Sequence, residues 1–204
     1  MNEDLAAFWQ WFSGEQQRLH IMAAESPGNL VDEVNSELGT LGLPLSCEVG
    51  VGPEEPIELI FSADGARTNF SLARALVKLA PSSDSWAFIP LKPPRGFDFK
   101  TDYEGLEIDP RDLWFLPLDV NDHPDLLGIR IGIPGLEGTE DPDMLLDACW
   151  MVLDTALGEE SATVDLAHVD CTELPANPTS SGFMVLTELP EFIRWRKRSG
   201  RCPS

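Results

Sequence analysis

The sequence predicts an α+β fold, in which a mostly antiparallel sheet carries helices on one face and follows an N-terminal helical hairpin. Two observations predict this fold. The stretches 45–91 and 113–171 each show the order strand, strand, helix, strand, although no residue-level identity relates them. The chain before residue 45 has helical periodicity instead. Because two such units commonly merge, we expect one sheet of six strands and one domain overall.

Three segments follow from this pattern: a helical hairpin at 1–44, an α+β core at 45–171, and an extended segment with a short basic helix at 172–204. The predicted strands are 45–51, 57–63, 86–91, 113–119, 127–133 and 163–171. The predicted core helices are 69–80 and 142–157.

The N-terminal hairpin is predicted from two apolar stripes. Residues 2–24 have apolar side chains at helical spacing, and Ser26-Pro27 marks the next helix start, because proline is tolerated in the first turn. The second stripe ends at Gly42. The first helix carries the aromatic residues Phe8, Trp9, Trp11 and Phe12. We expect the aromatic cluster to pack in the core, with Trp11 pointing elsewhere, and a partner-binding face is the alternative.

The stretch Ile57–Ala80 organises the first unit. Apolar and polar residues alternate up to Ala63, which predicts a strand with one apolar face around Phe61. Asp64-Gly65 then predicts a turn, since glycine reaches positive φ without a steric cost. Thr68 is the predicted N-cap of the helix, and Pro81 ends it.

Four residues around this turn form the candidate ligand or partner site: Ser62, Asp64, Arg67 and Asn69. A strand that leads into a helix through Ser-x-Asp-Gly is one way to build an anion or nucleophile site. The nucleophile-elbow pattern fails here, because Ile60 replaces its first glycine. We expect a turn and a cap at this position, with the ligand site as the alternative.

The second unit begins after the proline-rich break at 92–96 and an acidic hairpin or loop at 97–112. Asp141-Pro142 predicts a capped helix start, and Gly158 predicts its end. This helix is apolar over most of its surface, so we expect it to be sandwiched or to lie at a subunit contact. Trp150, within it, is predicted to be buried.

Net charge restricts the classes of partner. The chain has 204 residues and a formal charge of −21. Five basic residues lie in the last eleven, which leaves nine basic and 35 acidic side chains, a balance of −26, in the rest. This field repels nucleic acid and anionic lipid, so we predict neither nucleic acid nor membrane as a partner. The C-terminal helix 188–198 is predicted to dock on an acidic surface of this chain or of a neighbouring subunit.

No pattern in the sequence predicts a catalytic residue, a cofactor or a metal. The three histidines have no ligand spacing, and the EF-hand spacing counted from Asp98 fails at Tyr103 and Asp109. The four cysteines form no CxxC pair and are predicted to be reduced, mostly buried thiols. An acidic opening without a signal-peptide pattern, together with no long apolar run, predicts a cytoplasmic protein.

Several motifs resemble a family of uncharacterised bacterial proteins. They are ELIFSADGARTNF, LVKLAP, Trp86 in SSDSWAFIPLKPP, VLDTALGEESATVDLAHVD and the N-terminal Phe-Trp-x-Trp-Phe helix, and they cover residues 5–171. The resemblance implies a bacterial cytosolic protein and transfers no catalytic residue.

Three functions are compatible with these features. The first is a non-enzymatic, immunity-like or accessory protein that binds a basic protein partner through its acidic surface. The second is a structural homo-oligomer that uses the apolar helix 143–157 or the Trp-rich N-terminus. The third is a small-ligand binder or enzyme with a pocket near Ser62–Asn69. We expect the first of these.

Overall fold

The computed structural model describes residues 2–50, 56–120, 123–136 and 141–199, with the backbone alone at 123–125. The chain divides into two compact units, Met1–Pro93 and Pro94–Ser204. Their boundary falls inside the predicted core 45–171, at the proline-rich break. The fold class is α+β, as predicted.

The first unit opens with the predicted helical hairpin, which is confirmed. Helices α1 (Asn2–Glu25) and α2 (Pro27–Thr40) are joined at Ser26. After α2, Gly42 takes a φ of 66°. The Gly42 amide donates to the Gly39 carbonyl and the Leu43 amide to the Leu38 carbonyl, at 3.0 and 2.9 Å. This is a Schellman motif, which satisfies the last carbonyls of the helix and stops it at the predicted glycine.

The strands β1 (Ser46–Val49), β2 (Ile57–Ser62) and β3 (Trp86–Pro90) form one sheet, in that order. Helix α3 (Phe70–Lys78) connects β2 to β3. The pair β1–β2 is antiparallel, whereas β2–β3 is parallel. A helical crossover returns the chain in the same direction, so the strands on either side of α3 must run parallel.

Aromatic side chains of α1 cover one face of this sheet. Phe61 is fully buried, as predicted, and its ring centroid lies 5.6 Å from Phe8 and 5.8 Å from Trp9. The Trp9 indole also donates to the Leu76 carbonyl of α3 at 2.7 Å. The aromatic residues of α1 therefore pack in the core, and Trp11 is half-buried.

The second unit contains a hairpin, a four-stranded sheet and three helices. The hairpin is β4 (Thr101–Tyr103) and β5 (Leu106–Ile108). The sheet strands are β6 (Trp114–Val120), β7 (His123–Ile133), β8 (Leu166–Glu173) and β9 (Met184–Val185), in the order β8-β7-β6-β9. The helices are α4 (Pro142–Leu157), α5 (Glu159–Asp165) and α6 (Leu189–Arg198).

Helix α4 packs its apolar side on the core of this second sheet. Its start is capped as predicted: the Asp141 carboxylate accepts from the amides of Asp143 and Met144. Its end is at Gly158, also as predicted, with a φ of 79°. Leu153 is fully buried, whereas Trp150 is only half-buried, so the prediction for Trp150 is not met in full.

The prediction of one mostly antiparallel sheet is wrong. The described strands form three sheets, and the two larger ones are mixed. The strand-strand-helix-strand order is right in both units, but each helix is a crossover between parallel strands. The pair β7–β8, like β2–β3, is therefore parallel, while β6–β7 is antiparallel.

Smaller predictions also need correction. The predicted strand 163–171 starts late, because residues up to Asp165 belong to α5. Thr68 is not an N-cap and lies inside the 3₁₀ turn Arg67–Asn69 that precedes α3. The stretch Gly52-Pro53-Glu54-Glu55-Pro56 predicts a turn before β2, and it lies outside the described residues except for Pro56. The stretch Asn121-Asp122-His123-Pro124-Asp125 also predicts a turn; its first two residues lie outside the described residues, and the rest begin β7.

Because the ring of Phe61 is buried, truncating this side chain should destabilise the first unit. We expect Phe61→Ala to lower the free energy of unfolding by ~3–5 kcal/mol, through lost burial and the cavity left behind. Urea unfolding measures this loss. The matched control is Leu79→Ala, since Leu79 is an exposed apolar residue of the same unit and its truncation should change stability by less than ~0.5 kcal/mol. A loss below ~1 kcal/mol for Phe61→Ala would contradict the assignment of β2 as the central strand.

Candidate functional site

The four residues of the predicted site lie in and beside the turn after β2, where hydrogen bonds within the chain hold three of them. Ser62 is buried, and its hydroxyl accepts from the Asp64 amide at 3.0 Å. The Asp64 carboxylate accepts from the Ser46 hydroxyl at 2.6 Å, and the Asn69 side chain donates to the Pro44 carbonyl at 3.2 Å. Arg67 is exposed. These bonds fix a tight turn in which Asp64 and Gly65 both have positive φ.

A groove of about 540 Å³ lies next to this turn. Of the four predicted residues, Asn69 alone lines it. Its other walls come from the start of α1, the chain after α2 and the outer side of α3. The structure therefore does not bring Ser62, Asp64, Arg67 and Asn69 together around one pocket, and a ligand role for them stays a prediction.

The second unit carries a dense acidic surface, which we call the acidic face. It consists of exposed carboxylates on the β4–β5 hairpin and on the first turns of α4: Asp102, Glu104, Glu107, Asp143 and Asp147. Tyr103 lies between the two groups. Its partial burial, and then the negative charges of Asp147 and Glu104, raise the pKa of its phenol. Charges from both elements therefore act on one side chain, so Glu104 of the hairpin and Asp147 of the helix lie near each other around Tyr103.

The base of this hairpin is held by an arginine. The Arg111 guanidinium forms two bonds with the Asp109 carboxylate, at 2.9 and 2.7 Å, and reaches Asp98 at 3.0 Å. Hydrogen bonds from Arg111 lower the pKa of Asp109 from 3.8 to about 2. One cation thus holds together the acidic segment 97–112, which forms a hairpin.

The Asp109–Arg111 pair predicts a pH dependence. Because the pKa of Asp109 is lowered in the folded state, the pair contributes stability above about pH 4, and this contribution is lost as the pH falls toward 2. We expect NMR titration to place the Asp109 carboxyl near 2, and Arg111→Gln to return its pKa toward 3.8. Lys100→Gln is the matched control, because Lys100 makes the smallest contribution and should change the pKa little. An unchanged Asp109 pKa in Arg111→Gln would contradict the pairing.

A second charged site lies where α5 meets the C-terminal helix α6. The carboxylate of Asp165 is buried, with its side chain 5% exposed. It accepts from the Ser161 hydroxyl at 2.7 Å and pairs with the Lys197 ammonium at 2.7 Å. A cavity of about 520 Å³ lies beside these groups, with Arg194 and Glu191 also in its wall.

The contacts at this site hold α6 in place. They can be compared with the prediction that the basic C-terminal helix docks on this chain or on a neighbouring subunit. Leu189 and Ile193 are buried, as the apolar anchors of a docked helix should be. The pairing cation is Lys197 rather than an arginine, and the buried Arg196 donates to the Leu126 carbonyl at 2.8 Å. The helix thus docks within its own unit. Residues after Ser199 lie outside the described part of the chain.

We expect Lys197→Met to lower the free energy of unfolding by ~1–3 kcal/mol, because a buried carboxylate loses its partner. Urea unfolding measures the loss. Arg198→Met is the matched control, since Arg198 is exposed on the same turn and its change should stay within ~0.5 kcal/mol. Adding Asp165→Asn to Lys197→Met should recover part of the loss. Equal losses for Lys197→Met and Arg198→Met would show that the pair does not hold α6.

Sequence analysis missed the Asp165–Lys197 pair. Asp165 was predicted to lie on a strand, where Ser161 would be remote from it, whereas a helix brings residues four apart together. The weak signal was the Ser-x-x-x-Asp spacing just after the Gly158 helix end. The link to Lys197 spans 32 positions and had no local signature.

Histidines and cysteines form no metal-binding group in the part of the chain that the structure describes. No group of three or more His, Cys, Asp or Glu side chains there is placed to hold a metal. His168 is largely exposed and lies 3.7 Å from Asp170, which bonds Arg130. Cys47, Cys149 and Cys171 are free, as predicted, and Cys202 lies outside the described residues. Burial raises the pKa of Cys149 to about 12 and raises that of Cys47, which disfavours the thiolate form of both side chains.

Helices in the described residues include none with the length and apolarity needed to cross a bilayer. Comparison of the chain with protein-family models, curated proteins and solved structures finds no match. The resemblance to a family of uncharacterised bacterial proteins therefore stays a prediction.

Proposed function

We propose that this protein is a non-enzymatic binding protein that captures a basic protein partner through the acidic face of its second unit. The acidic face carries the proposal. Five exposed carboxylates lie on the β4–β5 hairpin and at the start of α4, and two of them, Glu104 and Asp147, act on Tyr103, on a chain whose net charge is −21. Complementary charge speeds encounter with a cationic partner and excludes anionic ones.

The composition of the acidic face supports a protein partner. Tyr103 is half-buried and packs against the core of the unit together with Leu106. Tyrosine offers a rigid contact surface and one polar tip, which is why it is enriched where proteins bind each other. Nearby carboxylates such as Glu104 and Asp147 supply the charged rim, and rim charges affect the association rate and the choice of partner.

The oligomer hypothesis has less support than partner binding. Its two proposed contact regions are α4 and the aromatic N-terminus, and both are used inside their own units. Leu145, Val152 and Leu153 of α4 belong to the buried core cluster of the second unit. Phe8, Trp9 and Phe12 of α1 are buried in the first. The largest apolar surfaces of these helices are therefore occupied in the single chain.

The free thiols support a cytoplasmic setting for this binding protein. Cys47 and Cys149 are buried and unpaired, and a reducing compartment keeps such thiols free. We keep a cytoplasmic, bacterial, basic-partner-binding protein as the proposal, with no nucleic-acid partner.

Neutralising the acidic face tests the proposal. The variant carries Glu104→Gln, Glu107→Gln, Asp143→Asn and Asp147→Asn, and the probe is an oligolysine peptide at physiological salt. We expect the dissociation constant to rise at least about tenfold, since four rim charges contribute a few tenths of a kcal/mol each. Isothermal titration calorimetry measures the constant, and a DNA duplex serves as the anionic probe that should not bind.

The matched control removes four negative charges from the first unit instead. Its changes are Glu3→Gln, Glu25→Gln, Asp32→Asn and Asp84→Asn, all at exposed positions. Both variants have the same net charge, so a general field effect would weaken oligolysine binding equally in both. Equal weakening, or binding of the DNA duplex, would count against the acidic face as the partner site. Loss confined to the first variant supports it.

A further inference from the structure

Strand β8 forms the longest sheet edge in the part of the chain that the structure describes. It has eight residues and lies at one end of the order β8-β7-β6-β9. The Leu174 amide donates to the Ile133 carbonyl of β7 at 2.9 Å. Because backbone groups point alternately to either side of a strand, the N–H and C=O of Thr172 also point to β7. Those of Cys171 and Glu173 point away from it, toward the open side of the sheet.

The outward backbone groups of Cys171 and Glu173 make no hydrogen bond with any other described residue. Glu173 is exposed and Cys171 is half-buried, so this end of the edge reaches solvent, whereas Val169 farther back on the strand is buried. A row of unpaired N–H and C=O groups at an accessible edge is a template on which another extended chain can pair.

The other sheet edges are closed or short. On β1, the Cys47 amide donates to the side-chain oxygen of Asn35 in α2 at 2.6 Å. On β3, the Trp86 amide donates to the Ser83 hydroxyl at 3.2 Å, and Pro90 has no N–H. The hairpin strands β4 and β5 have three residues each, and β9 has two. By contrast, the accessible end of β8 has neither a proline nor a side-chain cap among the described residues.

The charge around this edge determines which strand would pair with it. Residues 159–173 contain five acidic side chains and no Lys or Arg. Ion pairs neutralise two of them, Asp165 and Asp170. Glu173 is exposed and forms no ion pair with a described residue. A second copy of β8 would bring like charges together, whereas a strand with Lys or Arg would place opposite charges across the pair.

We propose that the open edge of β8 docks an extended, basic segment of the protein partner, which adds to the four-stranded sheet as a further strand. The backbone of this segment pairs with the outward groups of Cys171 and Glu173, and one of its Lys or Arg side chains lies opposite Glu173. Main-chain hydrogen bonds give such a contact its affinity, and cross-strand charges select the segment. This inference rests on the proposed basic partner and adds the form in which that partner binds.

Amide hydrogen exchange, followed by NMR, tests the proposal directly. The probe is an end-blocked peptide of alternating Lys and Val. The control peptide alternates Lys and Pro, so it has the same charge but cannot pair as a strand. In the free protein, we expect the Cys171 and Glu173 amides to exchange fast and the Thr172 and Leu174 amides slowly. At saturation, the Lys-Val peptide should slow exchange at Cys171 and Glu173 at least about fivefold, and the Lys-Pro peptide should not.

Substitutions of Glu173 provide the second test. Glu173→Pro removes an outward N–H and leaves the bonds to β7 in place, so calorimetry should show the affinity for the Lys-Val peptide falling at least about fivefold. Glu173→Gln is the matched control: it removes the charge but keeps the N–H, and it should lower the affinity about twofold at most. Slow exchange of the Thr172 amide in Glu173→Pro shows that β8 is still paired with β7.

Three results would overturn the pairing at β8 and leave the acidic face in place. They are equal binding of the two peptides, fast exchange of the Cys171 and Glu173 amides at saturating Lys-Val peptide, and equal losses in Glu173→Pro and Glu173→Gln. Slow exchange of these amides in the free protein that grows with protein concentration would show that a second copy occupies the edge instead. Failure of the proposed function gives a different result, because oligolysine would then bind the four-charge variant of the acidic face as tightly as the unaltered protein.

Discussion

In the first unit, the ring of Phe61 packs edge-on against Phe8 and Trp9, and the other elements depend on this contact. It fixes α1 on the sheet, and the Trp9 indole then ties α1 to the Leu76 carbonyl of α3. Because α3 is also the crossover between β2 and β3, a single aromatic cluster determines where two helices and three strands lie. The same cluster holds Trp86 of β3.

In the second unit, aliphatic rather than aromatic side chains hold the helix on the sheet. Leu145, Val152 and Leu153 of α4 pack with the apolar side of the β6–β7–β8 sheet in one buried cluster. Partly buried aromatic residues from the 97–112 segment, including Tyr103, pack against this cluster. A hairpin rich in carboxylates is thereby held beside the start of α4, which has exposed carboxylates of its own. Local hydrophobic burial thus assembles the acidic face, and no attraction between its members is needed.

The C-terminal helix α6 is basic, in contrast to the acidic face. The basic residues of α6 follow a strongly acidic chain, and only Lys197 is used to neutralise a buried carboxylate, Asp165. Arg194 and Arg198 stay exposed, and Trp195 is 47% exposed beside them. The apolar anchors Leu189 and Ile193 supply the docking, because exposed ion pairs contribute little. The position of α6 therefore depends on the burial of its apolar side chains and on the ion pair between Lys197 and the buried Asp165 carboxylate.

The sequence by itself determined the α+β class, the helical hairpin, the order of elements in both units, and the capped start and glycine end of α4. These features follow from periodicity and from turn chemistry, which act over a few residues. The tertiary structure alone decided that the strands form separate mixed sheets, that Asp165 meets Lys197, and that Trp9 bonds the Leu76 carbonyl. Each of these contacts joins residues far apart in the chain. Which distant strands and side chains meet depends on how whole elements pack, and no local pattern encodes that.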